Sequence, residues 1–324
     1  MSQPAKLLIA TAILAVVSVE FGLTQVSNDR DWEKAAGGKM AFEVASVRLN
    51  PGPLAPSNFR LSPDDAYANT GGLLNADSPL GNYIEFAYKI LPTREQWEAM
   101  YAHLPKWITT ANYEIHARAP IPNPSKDQMR LMMQSLLKER FGLIVHYETR
   151  ATPVFEMSPS KPGKLGPKLH RHEDEPSCSV TAPPGAGLLG NTTPGGVALK
   201  GPDVYPATCG GVEARFEPHQ MMLMGARDTT MDMIASSLQI GRLGRPIVNR
   251  TGLSGRYDFT LEWAPEPGTF KTGPGASPQE TPASDPQSPT FMQAIEDQLG
   301  LKLKPGNAPL KVLTIDHVER PSEN

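Results

Sequence analysis

The strongest constraint on this chain is an internal echo. Met133, Leu137, Phe141, Gly142, Leu143 and Val145 match Phe291, Ile295, Leu299, Gly300, Leu301 and Leu303 at a constant offset of 158 positions. Each copy is an apolar helical stripe that ends at a glycine and gives way to a strand, the pattern of a helix closed by a left-handed cap. Tyr113-Glu-Ile115-His-Ala117 and Tyr257-Asp-Phe259-Thr-Leu261 are alternating strand words placed ahead of the two helices. Asp77-Ser-Pro-Leu80 and Asp228-Thr-Thr-Met231 open a matching pair of earlier helices. A repeated strand–helix–strand order predicts an α+β fold: two related small βαβ-type modules, an internal duplication with long Pro/Gly-rich loops.

Boundaries follow from composition. Pro and Gly number 33 and 28 among 324 residues, well above ordinary usage, so modest cores and long connections are expected. Residues 1–23 read as a signal peptide or signal anchor, and 24–41 as a polar tether. The first α+β module spans 42–157, a Pro/Gly-rich linker 158–211, and the second module 212–324 with a disordered insert at 265–289. In the first module Phe42–Arg48 is a strand. Ser78-Pro79 caps a helix whose face is Leu80, Ile84, Ala87, Tyr88 and Leu91. Ser125-Lys-Asp-Gln128 is a capping box ahead of the stripe Met129, Met132, Met133, Leu136, Leu137 and Phe141. Leu143–Thr149 and Pro153–Met157 read as two strands joined by a turn. In the second module Met221–Met224 is a strand candidate, Pro246–Asn249 and the Tyr257 strand read as a hairpin, Ser288-Pro289 caps the last helix, and Leu310–Val318 holds the final strand.

The N-terminus carries Lys6 and then the apolar run Leu7–Val19, 13 residues long and short for a membrane span. The body is therefore expected outside the cytoplasm, periplasmic or anchored to the inner membrane, with membrane contact only through an uncleaved N-terminal segment. Cys178 and Cys209 are the two cysteines, and in an oxidising compartment they predict a disulfide worth about 3 kcal/mol in the chain-entropy model. A net charge of −3 gives no footprint for nucleic acid.

Chemistry is sparse. There is no nucleophile elbow, P-loop, dinucleotide fingerprint or zincin motif, and no cofactor or metal is expected. His170-Arg-His172-Glu-Asp-Glu175 reads as a solvated charge run, and His219 with Met221, Met222 and Met224 as a Met-rich core strand rather than a soft-metal site. Arg250 and Arg256 flank the Thr251–Gly255 turn and are candidate recognition residues for an anion, against the plainer reading of exposed turn arginines. His116, His146 and His317 are single strand histidines, candidates for an envelope hydrolase. Trp97, Trp107 and Trp263 are candidates for a carbohydrate-binding platform, though core burial is the more common fate of tryptophan.

Phe42-Glu-Val-Ala-Ser-Val47-Arg48, Leu136-Leu-Lys-Glu-Arg140-Phe141-Gly-Leu143, Val145-His-Tyr-Glu148-Thr-Arg150, Arg250-Thr-Gly-Leu-Ser-Gly-Arg-Tyr-Asp-Phe259 and Ile315-Asp-His-Val-Glu-Arg-Pro321 resemble a domain of unknown function abundant in soil-associated, acidobacterial-type genomes. The resemblance covers roughly 40–324 and brings no catalytic residue. In some members the domain follows a membrane metallopeptidase of the beta-lactam-sensor type, which implies envelope sensing by association. The helix–Gly–strand unit is also similar to the short N-terminal domain of secretins and TonB-dependent transporters, modules that make periplasmic protein contacts. The functional expectation is an exported, non-catalytic interaction or sensing protein with an envelope protein partner.

Overall fold

A computed structural model describes residues 31–173, 209–216, 221–241, 243–266 and 288–321. The fold is α+β, with helices packed on several small sheets. The signal segment, Cys178, His219 and most of the 265–289 insert lie outside the described residues.

The first module opens with α1 (Asp31–Ala35), β1 (Val44–Asn50) and β2 (Leu73–Pro79). It continues through α2 (Leu80–Ala87), α3 (Arg94–Tyr101), α4 (Trp107–Thr110), β3 (Asn112–Arg118) and α5 (Lys126–Phe141). Its antiparallel sheet has the order β1-β3-β2. The capping box forms as the spacing requires: Ser125 accepts from the Gln128 N–H, and the Gln128 side chain accepts from the Ser125 N–H. The whole predicted stripe of α5 is buried, and Gly142 closes the helix at φ +58°. Ser78 does not cap α2. It is the penultimate residue of β2, paired with Tyr113, and its hydroxyl accepts from Asn82.

The second module holds β5 (Leu169–Arg171), β6 (Val212–Phe216), β7 (Met222–Thr229), α6 (Met231–Ser237), β8 (Ile247–Asn249), β9 (Tyr257–Trp263) and α7 (Phe291–Ala294), which runs on as a π turn to Leu299. Its main sheet has the order β5-β9-β7-β6. The last helix is capped by Thr290 with Gln293, not by Ser288-Pro289, because the box needs a hydroxyl three residues before its glutamine. Pro246–Asn249 and the Tyr257 strand do not form a hairpin. β8 runs parallel to the strand after α5, whereas β9 lies in the other sheet. Asn249 diverts the chain by accepting from the N–H and the hydroxyl of Thr251.

The modules are joined by a ribbon of two long strands, β4 (Ile144–Pro159) and β10 (Leu301–His317). Neither turns back where the prolines suggested. Pro153, Pro159, Pro305 and Pro309 all occupy odd-numbered positions of the ladder. Odd-numbered residues point their backbone polar groups away from the partner strand, as the Phe155 N–H shows by donating to Pro246 O, while Ser160 donates inward to Gly300 O. A proline there removes no ladder bond.

The ribbon is centred on the pair Ala151↔Pro309, two residues that are themselves 158 positions apart. Each core is completed by both strands. Val145 and Tyr147 of β4 pack with Leu313 and Ile315 of β10 in the first core, and Phe155 and Met157 pack with Leu301 and Leu303 in the second.

Candidate functional site

Where the modules meet, ionic side chains cross from one to the other. Asp64 and Asp65 come from the loop before β2, and Lys89 follows α2. Lys126, Asp127 and Arg130 form the first turn of α5. From the second module come Arg227, Asp228, Arg256 and Asp258. Two of these, Lys89 (φ +53°) and Asp228 (φ +51°), are the only described non-glycine residues in the left-handed region. Holding such a backbone costs energy unless the surroundings over-determine it.

The contacts form one line. Lys126 Nζ donates to Asp64 Oδ1 (3.0 Å), Asp64 O (2.8 Å) and Ser62 Oγ (3.0 Å). Arg130 reaches Asp64 O at 2.7 Å, Ser62 O at 2.9 Å and the Asp127 carboxylate. Lys89 lies between Asp127 (3.3 Å) and Asp65 (3.1 Å). Asp65 accepts from Arg256 across the seam at 3.1 Å, and Arg256 Nε donates to Asp228 at 2.8 Å. Asp258 then accepts from the Asp228 N–H at 2.8 Å and pairs with His172 at 2.7 Å. The backbone joins in: the Asp65 N–H donates to Gly210 O, and Arg60 to Val212 O.

Burial sets the electrostatics. It drives the Lys126 ammonium down to about 8 although Asp64 opposes the shift. Burial also works to raise Asp64, but Lys126 and Arg60 hold its carboxyl below the usual range. Asp65 is likewise pulled down by Lys89 and Arg256 against its burial. Burial opposes the charge on Arg256, and Asp228 more than restores it. Most of these charges have partners on two sides, so the network acts as a latch rather than as a source of free charge.

The two modules also leave a cleft of about 340 Å³. One wall is the α2–α3 connection and the first residues of α3, Leu91–Glu95; the other is the end of α6 and the chain after it, with Ser236, Gln239, Ile240, Leu243 and Arg245. Gln239 Oε1, on this second wall, is buried without a hydrogen-bond partner among the described residues. Arg245 lies over the Phe155 ring at 5.7 Å.

The sequence-marked residues separate. Arg256 is the seam cation, while Arg250 lies 3.8 Å from Glu156. His172, read as part of a solvated run, is held against buried Asp258. His116 pairs with Glu114 and Asn75, His146 with Asp316 and Glu148, and His317 with Glu319, each on an exposed strand surface and none lining the cleft. Trp263 is buried against Phe291, Trp107 packs on Tyr113 beneath Arg320, and Trp97 reaches back to Glu85, so the three do not make one platform. Among the described residues no group of three or more His, Cys, Asp or Glu side chains is placed to hold a metal.

Lys89, Asp65 and Asp127 escaped sequence reasoning because each looks like an ordinary surface charge. The available signal was the pair of strand-to-helix openings at Asp77 and Asp228. A family model described as a protein of unknown function, DUF3738, matches residues 81–318 and so spans both modules. No curated protein and no solved structure matches the chain.

Proposed function

The chain belongs to the DUF3738 family of proteins of unknown function, and we propose that it is an exported, non-catalytic sensing or interaction protein that engages its partner where the two modules meet. The cleft carries this reading. Its two walls come from different modules, so an occupant feels, and can alter, how the modules sit together. The latch holds them through the Arg256–Asp65 ion pair, which a competing charge can displace.

Export to the envelope is part of the same proposal and rests on the apolar run Leu7–Val19 after Lys6. The soil-bacterial affinity and the kinship with short secretin-type modules rest on the quoted sequence words. The duplication is also proposed; it is supported by the 158-residue offset and by a ribbon centred on two positions related by that offset. A Cys178–Cys209 disulfide fits an oxidising compartment. It would tie the linker to the seam, since Gly210, next to Cys209, accepts from Asp65. Peptide mass mapping without reductant should show the cross-linked pair; two separately alkylated cysteines would remove the bridge.

The functional test is in-cell photocrosslinking of the tagged full-length chain. A crosslinking residue at Leu243, on the cleft, should capture one identified envelope species reproducibly. The same residue at exposed Lys304 on the ribbon should not. Equal capture at both positions, or none at Leu243, would contradict a seam site.

A further inference from the structure

The N-terminal helix α1 is docked at one spot of the first module. At five residues it is too short to stay helical alone, so its docking contacts hold it in shape. Those contacts converge on the turn that ends α2. Lys89 Nζ lies over the Trp32 ring at 5.8 Å. Buried Glu33 accepts from Gln134 Nε2 at 3.1 Å, and the same amide group donates to Ala87 O at 2.9 Å. After α1 the chain passes through Gly37 (φ +109°) and Gly38 (φ +76°), where an added Cβ would meet nothing within 4 Å. Two left-handed glycines with open space around them form a hinge. The chain is anchored again at Met40, whose carbonyl accepts from the Ser135 hydroxyl.

Lys89 is where α1 meets the rest of the molecule. Its backbone is in the left-handed region, and Asp65, Asp127 and the Trp32 ring together hold its side chain. Asp65 is also the first-module end of the Arg256 pair across the seam. Two residues after Lys89 comes Leu91, the first residue of the cleft wall. A strained residue that several partners hold in place relaxes when one of them is withdrawn. We infer that α1 is a releasable strap that couples the N-terminal segment to the cleft wall through Lys89. With α1 docked, Lys89 and the Leu91–Glu95 wall are fixed; with α1 swung out on Gly37 and Gly38, both loosen. By linkage, an occupant that displaces the wall weakens the docking of α1 by the same factor. This gives the seam site proposed above an output, and only the occupant's part in it rests on that reading.

The coupling is tested on the full chain with no ligand added. Lys34 is exposed but helical, so trypsin cuts after it only when α1 leaves its site, and early release of the product beginning at Ala35 reads undocking. Lys89→Met removes the cation and keeps the stem. It should speed that cut about two- to fivefold, the size of one partly exposed cation–π contact. Lys89→Arg should be cut as the parent is. In the other direction, Trp32→Leu should raise hydrogen exchange in residues 88–95 by about the same factor. In the double variant the second substitution should add nothing further. Melting temperature checks that each variant folds. Asp127→Asn, which loosens Lys89 from the α5 side, is an independent variant that should also speed the cut. Unchanged cutting in folded Lys89→Met and Asp127→Asn, unchanged exchange at 88–95 in Trp32→Leu, or fully additive effects would overturn the strap. Leu243 crosslinking separates the two claims. Capture there without coupling removes the strap and leaves the seam site; coupling without capture leaves the strap and removes the occupant.

Discussion

Glu85 sits on α2 with Oε1 buried and unpartnered, and its described donor is the Trp97 indole on α3. Burial lifts its carboxyl from 4.5 to about 7. The unfolded chain ionises near 4.5 while the folded protein still holds the proton. Stability from this group is therefore intact below about pH 4.5, falls as pH rises toward 7, and levels off above that. The total loss is about 3 kcal/mol. Glu85→Gln should remove that slope, and urea titrations at pH 5 and pH 8 would check it. A parent and variant with parallel pH profiles would show that the carboxylate is solvated. Trp97 fluorescence should titrate near pH 7 in the parent and stay flat in the variant. None of this could be read from sequence, where Glu85 falls between apolar helix positions as a surface glutamate would. Arg256 shows a different limit. Its glycine-rich turn marked it, but its partners Asp65 and Asp228 lie 191 and 28 positions away, and only the fold brings them within reach.

Elements with strong local signals were legible. The α5 capping box, its buried stripe and the left-handed Gly142 all follow from nearest-neighbour chemistry, and Ser125→Ala should cost about 1 kcal/mol in thermal or denaturant unfolding. The ribbon was not legible, because proline is read as a breaker unless the direction of its missing N–H is known. That direction depends on the pairing partner, which for Pro159 is Leu301, 142 positions distant in sequence, and for the other three prolines is further still. The parity rule yields a contrast. Pro309→Ala keeps every ladder bond and should cost no more than about 1 kcal/mol, through the unfolded state. Arg150→Pro sits at an inward, even-numbered position and should cost about 2–3 kcal/mol by leaving its partner's acceptor unmatched. Equal destabilisation by the two changes would show that the register differs. The predicted hairpin after β8 failed for a related reason: a short strand–turn–strand word does not specify which sheet each strand joins.

At the scale of the whole molecule, each module borrows part of its core from the other half of the chain. Leu313 and Ile315 are close to the C-terminus yet are buried in the first core beside Phe141 and Leu143. The two modules should consequently unfold as one cooperative unit, and the latch and cleft are features of that unit rather than of either half. Sequence indicated two related modules but not this exchange, since the offset alone is equally compatible with two independent beads. The most direct test is hydrogen exchange measured by mass spectrometry on the full chain carrying Leu313→Ala, a cavity change expected to cost about 2–5 kcal/mol. The exchanged arrangement predicts faster exchange in α5 and β3 of the first module, more than 170 positions from the substitution. Faster exchange confined to the second module, with α5 and β3 protected as before, would contradict it.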